Sequence, residues 1–266
     1  MSISKVVRPG SAYPARLERL GWERSLHVRG TLPLAGPAAA IVGARAASGV
    51  AMERAHAIGK HLAERGVHVV SGGALGIDGA AHRGALAGNG GTTVVLGSGV
   101  DVAYPERHAR LFDEVLARGG ALVSMLPLGT APRAHTFLQR NPLIAALADA
   151  VIVVEATLGS GSLSTAHAAR KLGRIVAAWP GSAGCERLLA TGAAIVETTE
   201  DALQAVLGSP RSRPPIALDP IATRVAEAIG AGACGVDAIV EHTGLSVRAV
   251  LRALPLIQDS CVVRKP

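Results

Sequence analysis

The chain contains few cysteines and aromatic residues, and it has no long apolar run. Its three cysteines lie far apart and form no Cys-x-x-Cys pair, which argues against a disulfide framework and against a zinc site; they are Cys185, Cys234 and Cys261. No apolar run is long enough to span a bilayer, and residues 1–10 have no apolar signal core. The sequence therefore predicts a cytoplasmic protein without membrane insertion.

Familiar enzyme motifs are missing as well. No Walker A lysine follows any of the glycine-rich loops, and the chain has neither a Gly-x-Ser-x-Gly elbow nor a His-Glu-x-x-His pair. The turn at residues 159–164 follows a predicted strand and opens a predicted helix, but it lacks the third glycine of a dinucleotide fingerprint. The sequence therefore predicts a protein without catalytic residues, cofactor or metal.

Three titratable residues are nevertheless placed where they could take part in chemistry. Asp78 and His82 stand four residues apart on one predicted helical face, where they can pair; such a pair more often only braces the start of a helix. Glu155 ends a predicted buried strand and could act as a general base. The interpretation that we favour for Glu155 is that its carboxylate accepts backbone N–H bonds from the next loop.

The chain is basic, with a formal net charge of +7 to which arginine contributes nearly all of the positive charge. A basic balance favours anionic partners such as nucleic acid. Solubility, together with a general preference for arginine, explains the same composition equally well. Charge alone therefore leaves the partner open.

Strand and helix patterns alternate through residues 38–208. The strand at 38–42 ends in the turn 43–48, and the strand at 67–70 runs into the small-residue loop 71–76. This alternation predicts an α/β fold with a mostly parallel, doubly wound sheet and right-handed crossovers. Both turns then lie at the carboxyl ends of strands, where such folds bind ligands and where helix N-termini suit phosphate oxygens.

The sequence predicts four parts along the chain. Residues 1–37 form an irregular lead segment with a short helix at 13–20 and a strand at 26–30, and residues 38–208 form the sheet unit. A linker rich in proline and arginine occupies residues 209–218. Residues 219–266 contain three short helical patterns, at 220–229, 236–242 and 246–254, with Gly244 in the turn between the last two, and a short strand at 261–264.

A series of short motifs occurs in one order along the sheet unit. It comprises Ile41-Val-Gly-Ala-Arg45, Ser71-Gly-Gly-Ala-Leu-Gly-Ile-Asp-Gly-Ala-Ala-His82, Gly97-Ser-Gly99 with Tyr104-Pro105, Phe137 with Arg140-Asn141, and Ser160-Gly-Ser-Leu-Ser-Thr-Ala166. In order and spacing, these motifs resemble the DNA-processing protein family DprA, also called Smf, over residues 13–196. The resemblance implies an extended Rossmann-like fold that binds single-stranded DNA, a homodimer that loads the recombinase RecA in natural transformation, and no catalysis.

The resemblance also implies where the DNA lies. The family's DNA pocket carries over onto glycines, hydroxyl residues, two arginines, an asparagine and one aromatic ring. They are Gly43, Arg45, Ser48, Ser71, Gly72, Gly76, Phe137, Arg140, Asn141, Ser160, Gly161, Ser162 and Thr165. Arginines and glycine-loop N–H groups hold phosphates, and an aromatic face takes a base without regard to sequence, so these residue types fit that role. The sequence places Arg140 and Asn141 in a loop, before a helix near residues 143–148.

Four features depart from the family pattern. Pro142 stands where a second arginine is usual, and Met125 follows Ser124 where a glutamate is usual. The loop after Pro180-Gly181 is short, and the N-terminal helical domain of many members is missing or vestigial. These departures leave open whether DNA binding is weaker or the role is shifted.

The tail at 219–266 resembles the winged-helix domain that often follows the sheet domain in this family, with an abbreviated wing. Two other classes of function stay open. One is a phosphoribohydrolase-type enzyme, although Glu155 lacks the Pro-Gly-Gly-x-Gly-Thr turn of such enzymes. The other is a nucleotide-sensing regulator whose tail binds duplex DNA, which Arg248 and Arg252 support modestly.

Overall fold

The computed structural model describes residues 3–6, 13–32, 35–212, 220–233 and 235–258. Within these residues, nine strands form one sheet in the spatial order 1-2-6-5-4-3-7-8-9. The strands are β1 (Ile3–Val6), β2 (Leu26–Gly30), β3 (Ala38–Val42), β4 (His68–Ser71), β5 (Thr92–Val95), β6 (Ala121–Ser124), β7 (Ala150–Val153), β8 (Ile175–Ala178) and β9 (Ala194–Ile195).

Helices connect the strands and cover both faces of the sheet. Those that belong to the sheet unit are α1 (Ala15–Arg19), α2 (Gly49–Glu64), α3 (Ile77–Ala87), α4 (Ala109–Ala117), α5 (Ala134–Ala146), α6 (Gly161–Lys171), α7 (Ala183–Ala190) and α8 (Thr199–Val206). A 3-10 turn at Glu106–His108 precedes α4, and three further helices follow, α9 (Pro220–Gly230), α10 (Val236–Thr243) and α11 (Val247–Gln258). None of the described helices has the length and apolar character that crossing a membrane requires.

The strand order places a ligand-binding crevice in the middle of the sheet. Strands β3 to β9 run parallel, whereas β1 and β2 add an antiparallel ribbon at the β6 edge. The chain begins the parallel part at β3, proceeds outward through β4, β5 and β6, and returns to the other side of β3 with β7. Strand order therefore reverses between β3 and β7, and open α/β sheets bind ligands at such a point. The predicted doubly wound, mostly parallel sheet is confirmed.

The sheet is buried on both faces because its central strands are apolar throughout. All five side chains of β3 are buried. Ala38, Ala40 and Val42 pack with residues of α1, α5, α6 and α7, whereas Ala39 and Ile41 pack with residues of α2, α3 and α8. Packing on both faces fixes the relative positions of the strand ends that hold the site.

The lead segment contributes more to the sheet than the sequence indicates. β2 matches the predicted strand at 26–30, but β1 is not predicted, and it pairs antiparallel with β2. β2 pairs in turn with β6, so this segment extends the sheet. Arg16 of α1 ties the segment to the amino ends of the central strands, since its Nη1 lies 3.0 Å from Leu147 O and 3.3 Å from Asp149 Oδ2.

Helices α9, α10 and α11 pack around a small core of their own, which consists of Ala222, Val225, Ala228, Ile239, Val250 and Ala253. Gly244 follows α10 in the left-handed conformation with a φ of 66°, as suits the glycine predicted in this turn. The predicted strand at 261–264 and residues 213–218 of the predicted linker lie outside the described residues.

Candidate functional site

A cavity of about 420 Å³ opens at the crevice between β3 and β7. The turns after both strands line it, together with one side of α5 and the first turns of α6. Most of the residues that the family resemblance assigns to the DNA pocket are in this lining, namely Gly43, Arg45, Phe137, Arg140, Asn141, Ser160, Gly161, Ser162 and Thr165. Ser48, Ser71, Gly72 and Gly76 are not among the lining residues. The crevice that the topology predicts therefore brings together residues from three separate parts of the sequence.

Gly43 is required by close packing at the end of β3. A Cβ atom on Gly43 would lie 2.5 Å from Ile77 Cγ1 and 2.8 Å from the backbone oxygen of Glu155. The next residue is held in the same place, because Ala44 N donates to Glu155 O at 2.8 Å. The turn is thus fixed between α3 and the end of β7, and it leaves Arg45 exposed at the mouth of the cavity.

The end of β4 and the loop after it support the residues that line the cavity. Ser71 is fully buried and its Oγ donates to Ile41 O at 2.6 Å. The guanidinium of Arg140 occupies the space that a Cβ atom on Gly72 would take. Gly76 has a φ of 76° and lies against the backbone oxygens of Ala44 and Arg45, so only glycine fits there. These three residues position Arg45 and Arg140.

Three side chains form a stack at the cavity mouth. The Arg45 guanidinium carbon lies 4.7 Å from the centroid of the Phe137 ring, in cation–π geometry. The ring of Tyr104 lies 5.5 Å from that of Phe137, tilted by 36°. Phe137 is half-buried and rests on Gly97, where a Cβ atom would lie 2.6 Å from its ring. The sequence analysis notes Tyr104 only as part of a motif, and its place in the stack was not predicted.

Phe137, Arg140 and Asn141 lie on a helix and not in a loop, so the predicted loop is wrong. α5 begins at Ala134 and continues through Pro142. A proline usually marks a helix boundary because it removes one hydrogen bond, here the bond to the carbonyl of Leu138. Leu138 is exposed, and buried Leu143 and Ile144 hold the second half of the helix on the sheet. Tertiary packing outweighs the local signal.

Arg140 is a buried cation at the back of the cavity. Its Nη1 donates to the backbone oxygen of Val95, and its Nε is buried without a hydrogen-bond partner among the described residues. Burial lowers the pKa of Arg140 to about 10, which leaves it charged near neutral pH, and the Asp78 carboxylate opposes that shift. Burial in turn raises the pKa of Asp78, while the charge of Arg140 opposes the rise.

Asp78 and His82 make separate contacts and do not form the hydrogen-bonded pair considered from their spacing. Asp78 Oδ2 accepts from Ala74 N at 3.3 Å and so braces the loop before α3. His82 Nδ1 lies 2.7 Å from Thr92 Oγ1, on the next strand. Asp78 lines the cavity and His82 does not.

The N-termini of α2 and α6, which both lie at the crevice, differ in what occupies them. Glu155 covers the start of α2, where its Oε1 accepts from Ser48 N at 3.0 Å and its Oε2 accepts from Ser48 Oγ at 2.7 Å. Its carboxylate therefore accepts a backbone N–H as predicted, but the donor is in the turn after β3 and not in the next loop. The start of α6 has no acidic residue in its first turn, and Gly161 and Ser162 there line the cavity. Of these two helices, α6 alone presents its N-terminus to a ligand.

The α6 N-terminus is held in place by its neighbours. Asn141 Nδ2 donates to Gly161 O at 3.0 Å, which joins α5 to α6. Ser160 Oγ and Ser162 Oγ lie 2.8 Å apart. The arrangement places backbone N–H groups, hydroxyls, a buried guanidinium and an aromatic ring around one cavity, a combination suited to a ligand with both phosphate and base.

Two family models match the chain. The model for DNA recombination-mediator protein A matches residues 5–207, and the model for the DprA winged helix domain matches residues 209–255. A putative DNA processing protein DprA of Mycobacterium tuberculosis is 44% identical over 236 residues, which are 83% of this chain and 60% of that protein. The chain thus spans less than two thirds of the length of this relative.

Two solved structures share the fold over most of the chain. DNA processing protein A of Streptococcus pneumoniae superposes with a TM-score of 0.69 at 34% identity, over 76% of this chain and 74% of that chain. DNA processing protein A of Helicobacter pylori, described for its single-stranded DNA binding mode, gives a TM-score of 0.70 at 27% identity, over 79% of this chain and 98% of that chain. Because each superposition covers more than three quarters of this chain, the likeness extends beyond the shared motifs.

Proposed function

Because the chain belongs to the DNA recombination-mediator protein A family, also named DprA, we propose that it binds single-stranded DNA and loads RecA onto that DNA in natural transformation and recombination. The observation that carries the proposal is the stack of Arg45 on Phe137 at the mouth of a cavity lined by the open N-terminus of α6. The single-stranded DNA binding described for the Helicobacter pylori relative supports the same role.

The chemistry of the cavity suits a single strand better than a duplex. A strand without a partner can turn its bases outward, and an aromatic ring such as that of half-buried Phe137 stacks with any base. Arg45, Arg140 and the N–H groups of α6 are placed for the phosphates on either side of such a base. The role of Ser48, Ser71, Gly72 and Gly76 in this proposal is to position those groups.

We propose further that the protein has no catalytic activity. A phosphoribohydrolase would need a free carboxylate at the cavity, and Glu155 is the residue considered for that role. Its carboxylate oxygens are instead engaged with the backbone N and the Oγ of Ser48 at the start of α2. A carboxylate held in a helix cap is a poor general base, because it must break the cap to accept a proton.

The homodimer and the loading of RecA rest on the family resemblance. The resemblance implies a dimer through the end of the sheet unit, so we expect residues 194–207 to lie near the dimer contact. Ile195 and Leu203 of this stretch are buried in the core, whereas Leu207 is 58% exposed at the end of α8. Leu207 is therefore the side chain of that set which we propose for the dimer contact.

Binding is tested by titrating matched single- and double-stranded oligonucleotides at several salt concentrations. We expect a preference for the single strand, and Arg45→Ala should reduce the slope of log affinity against log salt by about 0.7, the value for one phosphate contact. Arg65→Ala is the matched control, because Arg65 is an exposed arginine that follows the far end of α2 and is not among the residues that line this cavity. Equal slopes for the wild type and Arg45→Ala would exclude this pocket.

Loading is tested on the same oligonucleotides by following the association of RecA. The protein should accelerate that association at a fixed RecA concentration. If the protein binds the single strand tightly but the rate of RecA association is unchanged, the protein binds DNA without loading the recombinase.

A further inference from the structure

A second cleft lies at the opposite end of the sheet from the cavity. It has a volume of about 330 Å³ and is lined by the end of α6, the start of β8, the end of α7, the start of β9, and Pro210 and Ser212. Two arginines, Arg170 and Arg174, contribute to its walls, and no acidic residue does. The remaining lining residues are small or apolar, apart from the hydroxyl of Ser212. A cleft with two cations and no carboxylate is suited to an anion.

Arg174 has unused hydrogen-bonding capacity in this cleft. Its guanidinium donates no hydrogen bond to any described residue, and its Nε is buried without a partner. Partial burial lowers the pKa of Arg174, the carboxylate of Asp149 opposes that shift, and Arg16 and Arg19 add to it. Asp149 is itself engaged, because its Oδ2 accepts from Arg16 Nη1 and from Ala38 N. Positive charge therefore exceeds negative charge around Arg174.

Arg170 plays a different part. Its Nη2 donates to Leu188 O, Thr191 O and Thr191 Oγ1, at 3.3, 3.0 and 3.0 Å. These bonds tie the end of α6 to the end of α7 and form one wall of the cleft. Arg170 is thus a fixed cation with a structural role, while Arg174 has no hydrogen-bond partner among the described residues.

Helix α6 connects the cavity with the cleft. Its N-terminus lines the cavity and its last turn lines the cleft, and the helix contains no aspartate or glutamate. His167, Arg170 and Lys171 are exposed along it, and Arg174 follows its end. The helix is about 16 Å long, a distance that about five stacked nucleotides of one strand would cover at 3.4 Å each.

We propose that Arg174 and the cleft bind a second phosphate group, and that the exposed side of α6 guides a strand from the cavity to this site. In this form the inference rests on the proposed single-strand binding. The shared chemistry is a phosphate oxyanion, which the planar fork of arginine can hold with two parallel hydrogen bonds. That phosphate has two possible sources, the backbone of a strand that leaves the cavity and a free mononucleotide.

The first experiment uses oligothymidylates of increasing length and compares the full chain with its Arg174→Gln and Arg174→Lys variants. Arg174→Gln should match the wild type on the shortest oligonucleotide that binds. Beyond about five further nucleotides it should lose several-fold in affinity and about 0.7 in the salt slope. Arg174→Lys keeps the charge and should retain most of the slope.

Arg65→Gln is the matched control, because Arg65 is exposed at the same end of the sheet, at the end of α2, and is not among the residues that line the cavity or the cleft. It should resemble the wild type at every length. Melting temperatures of all variants show whether a loss of affinity reflects a loss of fold.

The second experiment measures thymidine monophosphate binding by equilibrium dialysis. Binding that Arg174→Gln abolishes and Phe137→Ala preserves would assign the cleft to a free mononucleotide. The inference is overturned if Arg174→Gln equals Arg65→Gln at every length and in the dialysis, or if its loss is the same on the shortest oligonucleotide as on the longest.

Failure of the proposed function looks different from failure of this inference. Single-strand binding that depends on Arg45 but not on Arg174 would remove the second site alone. A wild type that binds no oligonucleotide, yet binds thymidine monophosphate through Arg174, would remove the proposed function and leave the cleft as a phosphate site.

Discussion

At the scale of single residues, two phenylalanines have opposite expected roles. Phe137 is half-buried under Arg45 at the cavity mouth, whereas Phe112 is buried in the core between α4 and the sheet. Base stacking is worth about 1–3 kcal/mol per base, so Phe137→Ala should weaken single-strand affinity by that amount with little change in the salt slope. Affinity titrations at several salt concentrations measure both quantities.

The control for this prediction is Phe112→Ala. Loss of a buried phenylalanine costs about 3–5 kcal/mol of stability, so this variant should melt at a lower temperature. The part that remains folded should bind the single strand normally. If Phe137→Ala lowers the melting temperature as much as Phe112→Ala and leaves affinity alone, Phe137 is a core residue and the stack has no binding role.

A buried histidine makes stability depend on pH. Burial lowers the pKa of His82 to about 3, from an ordinary value of 6.5. Below the ordinary value the unfolded chain takes up a proton that the native chain does not, so stability is lost as the pH falls from about 6.5 toward about 3. From about pH 7 to about pH 5 we expect a loss of about 2 kcal/mol from this group.

Urea unfolding at a series of pH values tests this expectation. His82→Gln should be less stable at neutral pH, because it disturbs the contact with Thr92, but its stability should fall less steeply with acid. His167→Gln is the control, because His167 is exposed on α6. The same steepness in His82→Gln and the wild type would show that His82 is not the responsible group.

At the scale of elements, the parallel strands were the most predictable part of the molecule. Runs such as Val-Ile-Val-Val at 151–154 are apolar throughout because the sheet is buried on both faces, and the sequence alone therefore indicates a central strand. β1 was not predicted, because a strand of four residues at the edge of the sheet shows little hydrophobic pattern in the sequence. α5 was predicted too short because Pro142 gives a strong local signal that packing overrides.

The sequence also predicts only part of the candidate site. The motifs predict which residues gather at the crevice, because a parallel sheet brings the carboxyl ends of its strands together. They do not predict that Glu155 closes the N-terminus of α2, since nothing in the sequence shows that the carboxylate meets Ser48. They also do not separate lining residues such as Arg45 from supporting ones such as Gly72, because that difference depends on where the Arg140 side chain turns.

Helix α11 is the element through which the tail would meet DNA. Arg248 and Arg252 are exposed on it, beside exposed Val247 and Leu251, so the face is only partly basic. The proposed cavity is formed by residues 42–165, outside the tail. We expect the double variant Arg248→Gln with Arg252→Gln to keep nearly all single-strand affinity, as measured by fluorescence anisotropy. Loss of most of that affinity in a folded double variant would move the binding site to the tail.

At the scale of the whole molecule, assembly is the property that a single chain shows least directly. A stable interface buries about 800 Å² on each partner and has an apolar centre. Leu207 lies at the end of α8, near buried Leu203 and Val206, and it is the exposed apolar residue of the stretch that the resemblance assigns to the dimer.

Leu207→Glu tests this assembly. A carboxylate at an apolar contact must lose its water when the partners meet, so the variant should be mostly monomeric at concentrations where the wild type is a dimer. Static light scattering over a concentration series measures the masses. Leu251→Glu, at a similarly exposed leucine of α11, should leave the mass unchanged. A wild type that stays monomeric at micromolar concentration and above would exclude the homodimer, and a dimeric Leu207→Glu would place the contact elsewhere on the chain.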